Sequence, residues 1–321
     1  MQSFPTLSSS FEQQFAARQF PLYPKSLYDA AQYILGIGGK RVRPVCVLMG
    51  NELFNDIHQD AYHVANAVEL FHNFSLIHDD IMDKAPIRRG LATVHEKFGE
   101  STALLAGDVM LVTAYDHINK IRNEYLPKII SLFNETAKDV CEGQQMDMDF
   151  EKNENVTFDE YVEMITLKTS VLLASSLQMG AIIGGAGLGN QQHIYEFGKN
   201  LGIAFQVQDD YLDAFGDPEK FGKQTGGDIL ADKKTFLMIH ALEVADGNAR
   251  QEINDLAGSK SKDKIQRILK IYKESKVDQW ATELKEKYFI EAMHHLDEIA
   301  VLSSRKKELA ALASYLMQRE N

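Results

Sequence analysis

The chain has 321 residues, 45% of them hydrophobic, and its 46 acidic against 34 basic side chains give a net charge of −12. That balance excludes nonspecific nucleic-acid binding through a cationic face, and two cysteines are too few for a disulfide framework, so a reducing cytoplasm is the expected compartment. The length suits one large helical domain, and the start MQSFPTLSSSFEQQF, with no basic segment leading into an apolar block, does not read as a secretory signal.

Five of the seven prolines precede position 87, so the rest of the chain can carry long uninterrupted helices. Apolar residues recur at three- and four-residue spacing over 62–81, 101–118, 126–148, 158–183, 192–215 and 235–244, which predicts helices there. Breaks rich in Gly, Pro or polar residues fall at 51–56, 84–90, 151–157, 184–190, 217–227 and 258–263. Thr157 with Glu160 three residues on has the form of a capping box opening the next helix. The apolar run 171–189 contains Ser175, Ser176 and Gln178 and reads as a buried helix with its exit, not as a membrane span. Cys46 and Cys141 both sit beside apolar residues and are expected to be small buried hydrophobes. The fold class is all-α, a single domain over residues 1–321.

The first group with chemical character is GGKRVRP at 38–44. Lys40, Arg41 and Arg43 follow two glycines that would let the backbone approach an anion closely. The spacing is not that of a Walker loop. Two readings stand: a basic loop facing an acidic neighbour, or a diphosphate site that needs no metal.

Downstream, HNFSLIHDDIMDKAPIRRG ends an apolar helix with Asp79, Asp80 and Asp83. Asp79 and Asp83 are one turn apart, roughly 6 Å along the axis, and project from the same face. Such like charges repel unless a cation lies near them. Arg88 and Arg89 follow, and guanidinium groups grip phosphate oxygens in a fork. His72 lies about two turns before Asp79 on nearly the same face; His78 and His95 read as ordinary core histidines.

A second DDxxD recurs as Asp209, Asp210 and Asp213 in FQVQDDYLD. Oxygen-only ligands without paired His or Cys favour a hard ion such as Mg²⁺, which bridges carboxylates to substrate phosphates. Lys168 and Thr169, in LKTS, sit within so apolar a helix that the ammonium would be costly without an anion. Beyond the second motif, GDPEKFGKQTGGDILADKKT offers Lys223, Lys233 and Lys234 around Asp228, either as a solvated loop or as a lid bringing cations to bound substrate.

Taken in order, GGKRVRP, HDDIMDKAPIRRG, EGQQMD, LKTS and FQVQDDYLDAFGD resemble the trans-type polyprenyl diphosphate synthases, the farnesyl and geranylgeranyl diphosphate synthase family. The resemblance spans about residues 28–241. It implies a bundle of long helices around a deep central cavity, a homodimer, and three Mg²⁺ ions. It also implies head-to-tail condensation of isopentenyl diphosphate with an allylic diphosphate. Carried over by motif position, Asp79, Asp83 and Asp209 hold Mg²⁺ while Asp80, Asp210 and Asp213 act mainly through bound water. Lys40, Arg43, His72 and Arg89 bind isopentenyl diphosphate. Arg88, Lys168, Thr169, Gln206, Lys223 and Lys233 face the allylic diphosphate, with Lys168, Thr169 and Gln206 nearest the chemistry. Gln145 and Asp147 line the cavity. The ending LMQREN departs from the basic tail of many members, which leaves Arg319 unassigned.

A class I terpene cyclase would also ionise an allylic diphosphate with an aspartate-rich motif, but it needs only one diphosphate site, and its second metal motif is typically not DDxxD. A noncatalytic partner subunit would commonly lose one aspartate motif. Product length is expected to be set by side chains before Asp79. Ser75 is small, and an uninterrupted DDIMD with one aromatic at the fifth position, Phe74, is similar to archaeal-type geranylgeranyl synthases, with farnesyl diphosphate as the alternative product. At about 100° per residue, Phe71 lies nearer the face of Asp79 than Phe74 does, so either ring could form the floor.

Overall fold

The computed structural model describes residues 1–17, 19–153, 155–216, 225–259, 261 and 263–318. The order is α1 Phe4–Phe15, α2 Lys25–Gly36, α3 Val42–Phe54, α4 Gln59–Met82, β1 Ile87–Arg88, β2 Leu91–Ala92, α5 Val94–Phe98, α6 Glu100–Ile118, α7 Leu126–Phe150 and α8 Phe158–Ile165. A π-helical turn, Thr166–Ser170, leads into α9 Val171–Ile183 and α10 Leu188–Phe215. Then come α11 Gly227–Leu230, α12 Phe236–Val244, α13 Gly247–Leu256, α14 Lys264–Glu274, α15 Val277–Glu298 and α16 Ser303–Met317. The fold is all-α; the one exception among the described residues is the short antiparallel hairpin β1–β2, which falls within and just beyond the predicted 84–90 break.

The chain forms two compact units: residues 1–135, 175–195 and 299–308 in the first, and residues 136–174, 196–298 and 309–321 in the second. Unit 1 is built on α4, which packs against α3 and α6. Its first half is buried on most sides through Ala61, Val64, Ala65, Val68, Leu70 and Phe71, which is why the alanine-rich sequence reads as apolar almost all round. The His58 ring accepts the Asp60 N–H to start the helix, and Lys84, in the left-handed region, follows its end at Asp83.

In unit 2, α12 packs on α8, α14 and α15, and a cluster including Tyr161, Val207, Phe236, Ile268, Tyr272 and Ala281 forms the core. The predicted capping box is present, with Thr157 Oγ1 accepting the Glu160 N–H at 3.3 Å and Glu160 accepting the Thr157 N–H at 2.8 Å. The predicted helix over 158–183 differs from expectation at its middle: Thr166–Ser170 winds as a π turn, with the Val171 N–H reaching back to the Thr166 carbonyl. This stretch is long and apolar enough to cross a membrane, but 72% of its apolar window is buried within the protein, as in a core helix.

Cys46 is buried as expected, and burial pushes its thiol up to about 12. Cys141 corrects the expectation, because it is exposed. The buried residues of this helix up to position 143 fall at Ile129, Phe133, Thr136, Val140 and Gly143, a three-four repeat that position 141 lies outside.

Candidate active site

In unit 1 four arginines surround one imidazole. Arg43 Nη1 lies 3.2 Å from His72 Nε2. A guanidinium can only donate, so Nε2 accepts and His72 is neutral with its proton on Nδ1. Burial first, then the charges of Arg43, Arg89, Arg88 and Arg41, hold His72 well below the usual histidine range. The same positive field would be relieved by a bound diphosphate.

Arg89 reaches this group from the β1–β2 turn, where Arg89 and Gly90 both have positive φ, 50° and 78°. Two consecutive left-handed residues match the twist of a two-residue hairpin. The Arg89 guanidinium donates to the Gly38 carbonyl, and a Cβ on Gly39 would lie 2.6 Å from Arg89 Nη1. The glycine pair therefore admits the arginine, and Lys40 follows on the exposed side. Arg41 is different: it pairs with Glu69, which is 3% exposed and also accepts from Asn73 at 2.9 Å. The acidic-neighbour reading thus holds for Arg41, while Lys40, Arg43, His72 and Arg89 cluster about the loop.

The first aspartate motif closes α4. Asp79 is half-buried, Asp80 is 2% exposed and Asp83 is exposed. Arg88 donates from Nε to Asp80 at 2.8 Å and from Nη2 at 2.8 Å, and its Nη2 lies 3.4 Å from Asp79. Burial opposes the Arg88 charge, but the hydrogen bond and charge of Asp80 outweigh it and raise the group overall. Asp80 is therefore held by Arg88.

In unit 2 the π turn carries Lys168, whose Nζ meets Asp147 at 2.5 Å. The expensive ammonium has the anion it required. The turn is tightly flanked: a Cβ on Gly143 would run into the Lys168 backbone, and one on Gly202 would meet Ser170 at 2.8 Å. π bulges often mark functional positions, because they re-aim side chains within a continuous helix. Thr169 sits half-buried on the same turn. Gln145 is exposed and bonds Asp149 at 2.9 Å.

The second motif lies at the end of α10. Asp210 is 7% exposed; Gln206 Nε2 donates to its Oδ1 at 2.9 Å and Tyr161 donates to its Oδ2. Burial first, then the charge of Asp228, pushes Asp210 up to about 7, against its two hydrogen bonds. Asp213 is likewise raised, by burial and then Asp228, and its Oδ2 accepts the Asp228 N–H at 3.0 Å. Lys233 Nζ is 3.4 Å from Asp228. Lys223 and Arg319 lie outside the described residues. Tyr161 was not anticipated from sequence; it lies two turns before Lys168, but nothing in the spacing shows that α10 passes beside it.

Among the described residues no three His, Cys, Asp or Glu side chains converge on one point as a ready-made cage. The all-carboxylate donors and the raised pKa of Asp210 fit a cation, since a nearby positive charge would restore its ionised form.

Of the candidate length-setting residues, Phe71 is 1% exposed and its ring lies 5.4 Å from Phe133 and 5.6 Å from Phe74. Phe74 is half-buried, edge-on to His78 at 4.7 Å, and Ser75 Oγ bonds its own helix at the His72 carbonyl. Phe71 is thus a core ring, and Phe74 is the more accessible of the two. His78 packs as expected for a structural residue, with Nε2 3.2 Å from the Leu104 carbonyl.

The chain belongs to the polyprenyl synthetase family, whose model matches residues 24–275. It is 36% identical over 301 residues to the short chain isoprenyl diphosphate synthase of Methanothermobacter thermautotrophicus, covering 93% of this chain and 92% of that one. It is 37% identical over 302 residues to the geranylgeranyl diphosphate synthase of Saccharolobus solfataricus, covering 92% and 91%. A crystal structure of a geranylgeranyl pyrophosphate synthase superposes with a TM-score of 0.94 at 40% identity, over 100% of both chains.

Proposed function

We propose that this protein is a Mg²⁺-dependent prenyltransferase that condenses isopentenyl diphosphate head-to-tail with allylic diphosphates, yielding mainly geranylgeranyl diphosphate. The observation that carries the reading is the cluster of Arg43 at the start of α3, His72 on α4 and Arg89 on the β1–β2 turn, which donates to Gly38. Two guanidinium groups beside a neutral imidazole support an anion site that needs no metal, in addition to the carboxylate motifs. A condensing enzyme needs two diphosphate sites, whereas a terpene cyclase needs one.

Asp79, Asp83 and Asp209 would hold Mg²⁺, with Asp80, Asp210 and Asp213 reaching it through water; bound there, the ions would offset charge developing on a departing diphosphate. Lys168, Lys223, Lys233 and Arg88 add cations toward the same leaving group. As the allylic C–O bond breaks, the electron pair leaves with the diphosphate and a carbocation remains. Thr169, Gln206 and the carbonyls of the π turn present oxygen dipoles that can ease that cation without trapping it. The isopentenyl double bond, held through Lys40, Arg43, His72 and Arg89, then supplies the electrons for the new C–C bond. A proton leaves the condensed cation, and the released diphosphate is the base at hand, so no catalytic dyad is required. Water must be kept out until the bond forms.

We read residues 1–321 as one catalytic domain, since the family match runs through both units and α7, α9 and α10 each continue from one unit into the other. We place it in the cytoplasm, consistent with two free thiols. A homodimer is supported by Leu104, Leu105 and Val112, 49%, 56% and 60% exposed along α6; light scattering at twice 36.2 kDa tests it, and a monomer at assay concentration contradicts it. The function is tested by diphosphate release: it should require isopentenyl and dimethylallyl diphosphates together, and release from the allylic substrate alone would favour the cyclase.

A further inference from the structure

Lys264, at the start of α14, is 1% exposed, and its Nζ donates to Asp232 Oδ1 at 2.7 Å. Asp232 Oδ2 accepts the Gly258 N–H at 2.9 Å, so one carboxylate joins α14, the end of α13 and the segment after α11. Asp232 is also in the left-handed region, with φ of 54°. Its N–H bonds the Ile229 carbonyl at 3.3 Å and the Lys233 N–H bonds the Asp228 carbonyl at 3.0 Å. Those two bonds define a Schellman motif ending α11, in which Asp232 occupies the position that glycine usually takes. A non-glycine residue there is disfavoured unless its side chain is held in place, and here the side chain is held by a buried ammonium.

The residue that follows is Lys233. Its direction is set at one end of α11 by Asp213, which accepts the Asp228 N–H at 3.0 Å, and at the other by the Asp232 turn. We propose that Asp232 and Lys264 are positioning residues for allylic diphosphate binding: the ion pair to the buried Lys264 ammonium locks the left-handed turn that aims Lys233. Neither need touch substrate. The inference rests on the reading of Lys233 as an allylic-diphosphate group.

Full-length Lys264→Met and Asp232→Asn, checked for folding by circular dichroism, should each raise KM for the allylic substrate about tenfold, with kcat and the isopentenyl KM close to wild type. Lys233→Ala should raise the allylic KM as well, and adding Lys264→Met to it should change little further. Folded single variants with wild-type allylic KM would overturn the positioning role. So would a Lys264→Met effect that persists undiminished without Lys233, because that would be a general packing defect. A Lys233→Ala enzyme with wild-type KM would remove the reading of Lys233 itself, and the inference with it.

Discussion

Arg43 and His72 show how single residues divide the work of the basic loop. Arg43 donates to the neutral His72 imidazole in the cluster that Arg89 also enters, whereas Arg41 pairs with buried Glu69. Arg43→Ala should therefore raise KM for isopentenyl diphosphate by about 10- to 100-fold, the loss of one charge-assisted hydrogen bond, with the allylic KM little altered; steady-state kinetics varying each substrate in turn checks it. His117 makes a separate prediction about stability. Burial first, then Lys120 and His63, pushes it down to about 4 from 6.5. Between those values the unfolded chain binds the proton and the folded one does not, so stability is complete above pH 6.5 and falls as pH drops through the window, by about 3 kcal/mol at pH 4. His117→Gln should flatten the dependence of melting temperature on pH between 7 and 5, with a residual slope from His63, which is lowered by burial in the same way. An unchanged slope would show that His117 is not the titrating group.

At the level of elements, α4 carries both the first aspartate motif and the rings proposed to limit product length. Phe71 packs against Phe133, so Phe71→Ala should cost about 3–5 kcal/mol as a cavity in the core. Phe74→Ala should cost less and lengthen the product, read by chromatography of the dephosphorylated alcohols; a destabilised Phe74 variant with unchanged product would make that ring core packing too. The helices themselves were legible in sequence because their apolar period is strong: 101–118 and 126–148 match α6 and α7 to within two residues. The π turn was not, because its sequence, TLKTS, keeps a helical apolar pattern, and the extra residue per turn answers to the glycines of α7 and α10 beside it. Likewise the motif residues could be listed in advance, but Tyr161 on Asp210 and Lys264 on Asp232 are pairings between distant elements that no local spacing encodes.

For the whole molecule, the acidic net charge and the basic cluster about His72 are compatible because the positive field is local, gathered around one imidazole of unit 1 by arginines from α3, the segment before it and the β1–β2 hairpin, while the excess aspartates and glutamates are spread along the chain. In the second carboxylate motif burial and Asp228 raise both Asp210 and Asp213, and a divalent cation with bound phosphate would offset that. The most direct test of this account is to supply purified protein with Mg²⁺, isopentenyl diphosphate and dimethylallyl diphosphate, then treat the products with phosphatase and separate the alcohols. The predicted result is a linear alcohol of about twenty carbons with one equivalent of diphosphate released per condensation; a cyclic hydrocarbon formed from an allylic diphosphate alone, or no product from a folded protein, would contradict it.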